Sequence, residues 1–392
     1  MSAPLPRAWL AFLAASTLSQ LGSTVLWFAL GWAAASHGGQ VAALVLTASG
    51  LPRLLLVLVG GSVADRVGAR RLLLVTESVM VTVCLALASG LHATGPTPWL
   101  LAAAGLASGI VSAFSLPALG SMPRRLVDDA ALPRALALRQ SLGQTVLLVG
   151  APLGGLLVAT VGLPAIAVAD AAGFAVVLLV LAVIRPRRDV GPGAEPLWRS
   201  LSDGARVVAR TRGLAVALVL TGAVAAVVLP VSSLLVPLLG RASGWSAGTT
   251  GLVVAAQAAG SIGATLVVAR TGTARRTGRA VALGLAVAAG GVGLVASVGA
   301  PVLVAGAAVV VGVGTGVAVA HLAPFVLGSA PRTHLARVQA WTALAQLAPV
   351  VVSNNLLGAL AERVSAGAAL GCCAVVLGLC ALAATRLRSA SS

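Results

Sequence analysis

The chain has 392 residues, of which 59% are hydrophobic and only 9% charged, against roughly a quarter charged in a soluble domain, so a water-soluble globular fold is excluded. All 26 basic residues are arginine and the net charge is +17. A nucleic-acid binder would gather such charge on one folded soluble face, whereas these arginines stand between long apolar runs, the pattern of a membrane protein.

Taken in order, twelve apolar segments lie at 8–35, 41–63, 72–94, 98–121, 141–161, 164–184, 213–239, 249–269, 280–299, 301–328, 337–360 and 365–385. Each has about the 20 residues that cross a hydrocarbon core of about 30 Å as helix. The first is too long for a signal-peptide core and is expected to remain as a helix. Loop arginines set orientation: with the N-terminus inside, every arginine except Arg53, Arg241 and Arg363 falls on the inner side. The expected fold is all-α, twelve transmembrane helices in two six-helix bundles, in the plasma membrane with both termini cytoplasmic. The first bundle spans 1–184, a cytoplasmic linker 185–212 and the second bundle with a short tail 213–392. In the linker, Gly191, Pro192, Gly193 and Pro196 precede LWRSLSDGARVVARTR, whose Leu197, Trp198, Leu201, Val207 and Val208 suit a helix lying on the membrane surface.

Between the second and third segments, Gly60 to Arg71 reads GGSVADRVGARR, which predicts a tight turn at the membrane surface. Asp65 is placed to cap or pair at helix ends, Arg66 and Arg70 to hold headgroups or helix C-termini, and Gly68 to adopt a backbone conformation that a β-carbon resists. The plain alternative is an inner-face anchor with an incidental acid. Aligning Gly272 with Gly68 also places Arg270 under Arg66, Arg275 under Arg71 and Gln257 under Arg53, with Ala269 where Asp65 stands. Such internal symmetry is typical of transporters built from duplicated halves.

The pattern of Gly61, Ala64, Asp65, Arg66, Gly68 and Arg70 resembles the signature loop between helices two and three of the major facilitator superfamily, with Val63 for Leu and Ala69 for the first Arg of the final pair. The stretches LPRLLLVLVGGSVADRVGARR and FSLPALGSMPRRLVDDAALPRALALRQSLGQ are similar to the exporter branch that includes enterobactin and macrolide efflux proteins. Gly150, Pro152, Gly154 and Gly155 resemble the antiporters' glycine motif on helix five, with Ala151 where that motif has Pro. The resemblance implies a secondary transporter working by alternating access, with the signature loop as a conformational latch that contacts the start of helix eleven in the outward-open state. It implies a central cavity lined by helices one, four, seven and ten, and it points to proton-coupled export of a small amphipathic compound such as a drug, macrolide or siderophore. An importer or uniporter of a neutral metabolite, or a non-transporting scaffold or receptor on the same fold, are the alternatives. Many proton-coupled drug exporters carry an Arg inside helix four; the fourth segment here has none, so coupling would use other residues.

Three ionisable groups fall inside segments, where a charge at a helix centre costs about 2.5 to 3.5 kcal/mol. Arg53 needs an acceptor for its five donors; it lies about 16 Å and Glu77 about 8 Å from the inner helix ends at 1.5 Å per residue. The two read either as a gated pair whose acid takes up a proton, or as a fixed salt bridge or a snorkelling Glu77. Asp170, in the sixth segment, reads as a hydrogen-bonded structural group or a proton carrier. His321 can titrate near neutral pH or serve as an interface residue. On the first segment Ser16, Gln20 and Thr24 share a face beside Ser23 and Trp27, and on the fourth Ser108, Ser112 and Ser115 do likewise. Thr221, Ser232, Gln257 and Thr315 complete the cavity candidates. None of helices one, four, seven or ten carries an interior acid, so a dedicated site for a strong cation is not expected. Gly105 with Gly109 and Gly312 with Gly316 read as helix-packing contacts.

Cys84, Cys372, Cys373 and Cys380 show no metal-ligand spacing, and without Lys there is no phosphate loop of the GxxxxGK type. No enzyme activity, metal or cofactor is expected. The expected partners are a small-molecule substrate, the lipid bilayer and a proton gradient, not nucleic acid, with the chain a monomer.

Overall fold

A computed structural model of the chain describes residues 5–184, 197–274, 276–329 and 335–387. In hydrocarbon a backbone must satisfy its own polar groups, and the apolar runs do so as helices; among the described residues there is no strand. The helices are α1 (Arg7–Ala35), α2 (Gly39–Val67), α3 (Ala69–Thr94), α4 (Pro98–Leu126), α5 (Leu132–Thr160), α6 (Gly162–Val183), α7 (Leu197–Arg210) and α8 (Arg212–Pro230). Then follow α9 (Val236–Ala242), α10 (Ala247–Thr271), α11 (Thr277–Ser297), α12 (Pro301–Ser329), α13 (Leu335–Arg363) and α14 (Ala366–Ala384). Among the described residues there are 12 helices long and apolar enough to cross a membrane.

Several helices outrun their apolar segments. α4 continues to Leu126 and carries Arg124 and Arg125, and α5 begins at Leu132 and carries Arg134 and Arg139. Hydropathy falls where the arginines begin, but arginine is a good helix former and its long stem can lie along apolar surface, so the helix need not stop there. The seventh span is one rod with a defect. Between α8 and α9 the backbone widens over Val231–Leu235, where the Val236 N–H reaches the Val231 carbonyl five residues back. Pro237 lacks the N–H that would continue the regular ladder.

The chain divides into two compact units, residues 1–34 with 45–194 and residues 35–44 with 195–392. In the first, Trp9, Phe12, Leu13, Leu72, Leu73, Met122 and Leu181 form a fully buried cluster. Glycines let the helices cross closely: a β-carbon added at Gly105 or Gly109 of α4 would meet the α2 carbonyls of Val45 or Ser49. In the second, Gly312 and Gly316 of α12 set their backbone against the α10 carbonyls of Gln257 and Ser261, and Gly222 of α8 against Ala345 of α13. Both small-residue pairs are packing contacts.

The linker expected to carry a helix holds one, α7, with Val207 and Val208 half-buried. Its Asp203 pairs with Arg206 at 3.0 Å and with Arg337 of α13 at 3.4 Å. The side chains of Leu197, Trp198 and Leu201 lie outside the described residues, as do residues 185–196 with their glycines and prolines.

Candidate functional site

The signature residues sit at the junction of α2 and α3, and the turn expected from Gly60 to Arg71 shrinks to a single residue. α2 remains helical to Val67 because Ala64 on its last turns is buried in the same cluster as Ala69 and Leu72 of α3. Gly68 joins the helices with φ 91°, a region in which a β-carbon is strained. Arg70 then reaches across to α6, its Nε donating to the Leu181 carbonyl at 2.8 Å and its Nη2 to that of Ala182 at 3.0 Å. Helix C-termini leave such carbonyls without partners, and a cation there also complements the helix dipole. Arg66 is exposed and Gly61 has open space about it; the side chain of Asp65 lies outside the described residues. In the second unit α10 ends at Thr271 and Gly272 has φ 82°, the same helix end in the register read from the sequence. Arg275 lies outside the described residues.

Within the first unit a cavity of about 230 Å³ brings together Gln20 and Trp27 of α1 with Ser108, Ser112 and Ser115 of α4. Two charged residues that sequence reasoning placed elsewhere also line it, Glu77 of α3 and Arg139 of α5. Arg139, expected on the inner side in the loop before the fifth apolar segment, stands two turns into α5, where its Nη1 donates to the Leu119 carbonyl at 3.3 Å. Glu77 is only 4% exposed, and among the described residues it makes no hydrogen bond or ion pair. The expected pairing with Arg53 does not form. Arg53 lies 14 residues before the end of α2 and Glu77 eight after the start of α3, an offset along the helices of about 9 Å. Among the described residues the buried Nε of Arg53 has no hydrogen-bond partner, and Arg53 lines neither this cavity nor that of the second unit.

Asp170 is 1% exposed and lies behind this cavity. Ser23 Oγ donates to its carboxylate, 3.2 Å from Oδ1 and 3.4 Å from Oδ2, and Cys84 Sγ lies 3.9 Å from Oδ2. Gly22 makes room for the carboxylate, since a β-carbon there would lie 2.7 Å from Oδ1. Thr24 shares the Gln20 face in sequence but does not line the cavity: its hydroxyl donates to the Gln20 carbonyl at 2.8 Å and its methyl packs on Gly150. Gly154 packs on Phe28 and Gly155 is buried. The glycine motif around Pro152 thus serves as the crossing of α5 on α1.

The second unit holds a cavity of about 480 Å³ with no charged lining residue among the described residues. Thr221 and Thr315 are there as expected, joined by Gln339, Thr342 and Gln346 against a wall that includes Val224, Leu229, Val281 and Leu322. Both threonine hydroxyls donate to their own helices, Thr221 to Ala217 at 2.8 Å and Thr315 to Val311 at 2.9 Å, so the glutamines are the polar groups left to meet a solute. Ser232 and Gln257 do not line it; they bond each other, Ser232 Oγ to Gln257 Oε1 at 2.9 Å, at the widened turn after α8. His321 is buried with Nδ1 2.8 Å from the Val317 carbonyl, an intrahelical contact away from the cavity. Cys84, Cys372, Cys373 and Cys380 are free thiols.

A family profile described as Major Facilitator Superfamily matches residues 12–353. Comparison with curated proteins by sequence finds no match. Among solved structures, the nucleoside transporter NupG is similar with a TM-score of 0.79 at 14% identity, over 98% of this chain and 100% of that one. A bacterial homolog of the human lysosomal transporter Spinster, inward-facing and unoccupied, gives 0.71 at 14% identity over 98% and 95%. A POT family transporter in complex with 5-aminolevulinic acid gives 0.75 at 12% identity over 96% and 95%. At these identities the likeness is one of fold.

Proposed function

The chain belongs to the Major Facilitator Superfamily and has its multi-pass transporter fold, and from that premise we propose that it is a proton-coupled exporter of a small amphipathic organic compound, working by alternating access in the plasma membrane. The observation that carries the coupling is Glu77, a carboxylate buried in a membrane-spanning helix, opening on a cavity and paired with no cation among the described residues. Intramembrane acids of this kind mark proton and substrate pathways. A ligand shifts a conformational equilibrium only by its differential affinity for the two states; a proton on Glu77 removes a charge whose burial costs about 2.5 to 3.5 kcal/mol, which is enough to bias one.

Outward direction is supported by the similarity of the Leu51–Arg71 and Phe114–Gln144 stretches to the enterobactin and macrolide exporters. Amphipathic cargo is supported by cavities that set a few polar groups against apolar walls. On this reading Gly61, Asp65, Arg66, Gly68 and Arg70 form the conformational latch, bundles 1–184 and 213–392 are the moving halves joined by 185–212, both termini are cytoplasmic, and the chain acts as a monomer.

The test is proton movement in everted vesicles, followed with a pH-sensitive dye while macrolides, siderophores and hydrophobic amines are added. A compound that collapses the gradient with the wild-type protein and fails with Glu77→Gln at equal abundance establishes coupled export and names the substrate class. A compound that acts equally on both removes Glu77 from the coupling. Silence across the panel with abundant folded protein favours uptake of a neutral metabolite or a role without transport.

A further inference from the structure

Asp170 is a second buried acid that the coupling described above does not use. It is reached from two neighbouring helices. From α1, Ser23 donates to both carboxylate oxygens and Gly22 leaves the space they occupy. From α3, Cys84 lies within sulfur hydrogen-bond distance, and Glu77 stands two turns before it on the same helix. No described arginine or histidine pairs with it. A hydroxyl and a thiol are weak company for a permanent charge in hydrocarbon, where ionised groups are paired or line water-filled paths. Ser23 also lines the first cavity, so one side chain touches both the buried acid and the space that water and substrate enter.

We propose that Asp170 is a second proton-holding site and that the Ser23 hydroxyl is the passage between it and the cavity. A serine hydroxyl carries one proton and two acceptor lone pairs. A hydrated proton in the cavity adds to Ser23 Oγ as the original Ser23 proton passes to Asp170 Oδ1; the hydroxyl is restored, the carboxylate becomes the neutral acid, and one proton has moved inward. Release runs in reverse. The two acids then differ in access, Glu77 meeting the cavity directly and Asp170 only through Ser23.

This rests on the proton-coupled reading, but its test needs no transport. The full-length protein in lipid vesicles is titrated while infrared difference spectra follow the carbonyl stretch of protonated carboxyl groups. Two buried-acid bands are expected, one lost in Glu77→Gln and the other in Asp170→Asn. Ser23→Ala should shift the second band and slow its hydrogen–deuterium exchange severalfold, leaving the Glu77 band alone; Cys84→Ala should shift it without slowing exchange. Because the last two variants keep the carboxyl group, the test stands even if Asp170→Asn fails to fold. The proposal is overturned if no band belongs to Asp170, or if Ser23→Ala leaves its exchange unchanged. Two bands in a protein that moves no protons with any compound would keep the acid pair and overturn the export reading; proton movement with the Glu77 band alone would do the opposite.

Discussion

The cavity of the first unit is small and carries both an acid and an arginine, whereas that of the second has about twice the volume and no charge among its described lining residues. Yet the two units are held together by the same device. In each, α2 or its counterpart α10 ends in a glycine with positive φ, Gly68 or Gly272, and that helix is crossed by a partner whose glycines press on its backbone. What differs are the polar positions: Gln257 corresponds to Arg53 and Ala269 to Asp65. Backbone crossings tolerate no side chain and so preserve a scaffold, while polar side chains are free to diverge. On the proposed function this divergence is a division of labour, with proton chemistry in the first unit and reception of the apolar body of the substrate in the second.

If one scaffold serves both units, the same lesion should damage both. Gly109→Val and Gly312→Val would each drive a side chain into the facing backbone of Ser49 or Gln257; overpacking costs about 1–3 kcal/mol even where neighbours are flexible side chains. Both are expected to lose monodisperse protein on gel filtration, whereas Gly371→Val, with nothing within 4 Å, should not. Collapse in only one unit would mean that the two are held differently. A smaller loss is expected from Arg70→Gln, which removes both bonds to the end of α6; about 1–3 kcal/mol should appear as a lower melting temperature. Arg66→Gln, at an exposed position, should stay within about 0.5 kcal/mol, and so should Arg270→Gln in the second unit. On stability the mildest effect is expected at Gln346. Gln346→Ala removes one solute-facing amide, and about two- to tenfold weaker substrate binding, the worth of one hydrogen bond, should be seen by titration with stability unchanged.

The twelve spans, the signature junction and the repeat register are legible in the sequence because each rests on a local rule: apolar length, a glycine where the chain needs positive φ, an arginine within reach of a helix end. The cavity linings are less so. A membrane helix is apolar on every side, so its periodicity does not tell which polar residue faces a cavity, and Thr24, Ser232 and Gln257 turn to neighbouring helices instead. Arg139 is hidden for another reason, since a hydropathy window ends at an arginine whether or not the helix does. The run ALPRALALRQSLGQ held the signal, being free of glycine and proline from Arg134 to Leu142. Glu77 was legible as an intramembrane acid, but its exposure to the cavity required the packing of α3 against α4 and α6. The small-residue pairs of α4 and α12 are legible as packing, because close helix approach asks for just those residues.

On the proposed function, proton coupling belongs to the first unit and not to the second, and purified protein in weak buffer should therefore release protons when a transported compound is added. Release is expected from the wild type, the same release from Gln346→Ala at higher compound concentration, and none from Glu77→Gln although the compound still binds. Release undiminished in Glu77→Gln would contradict it.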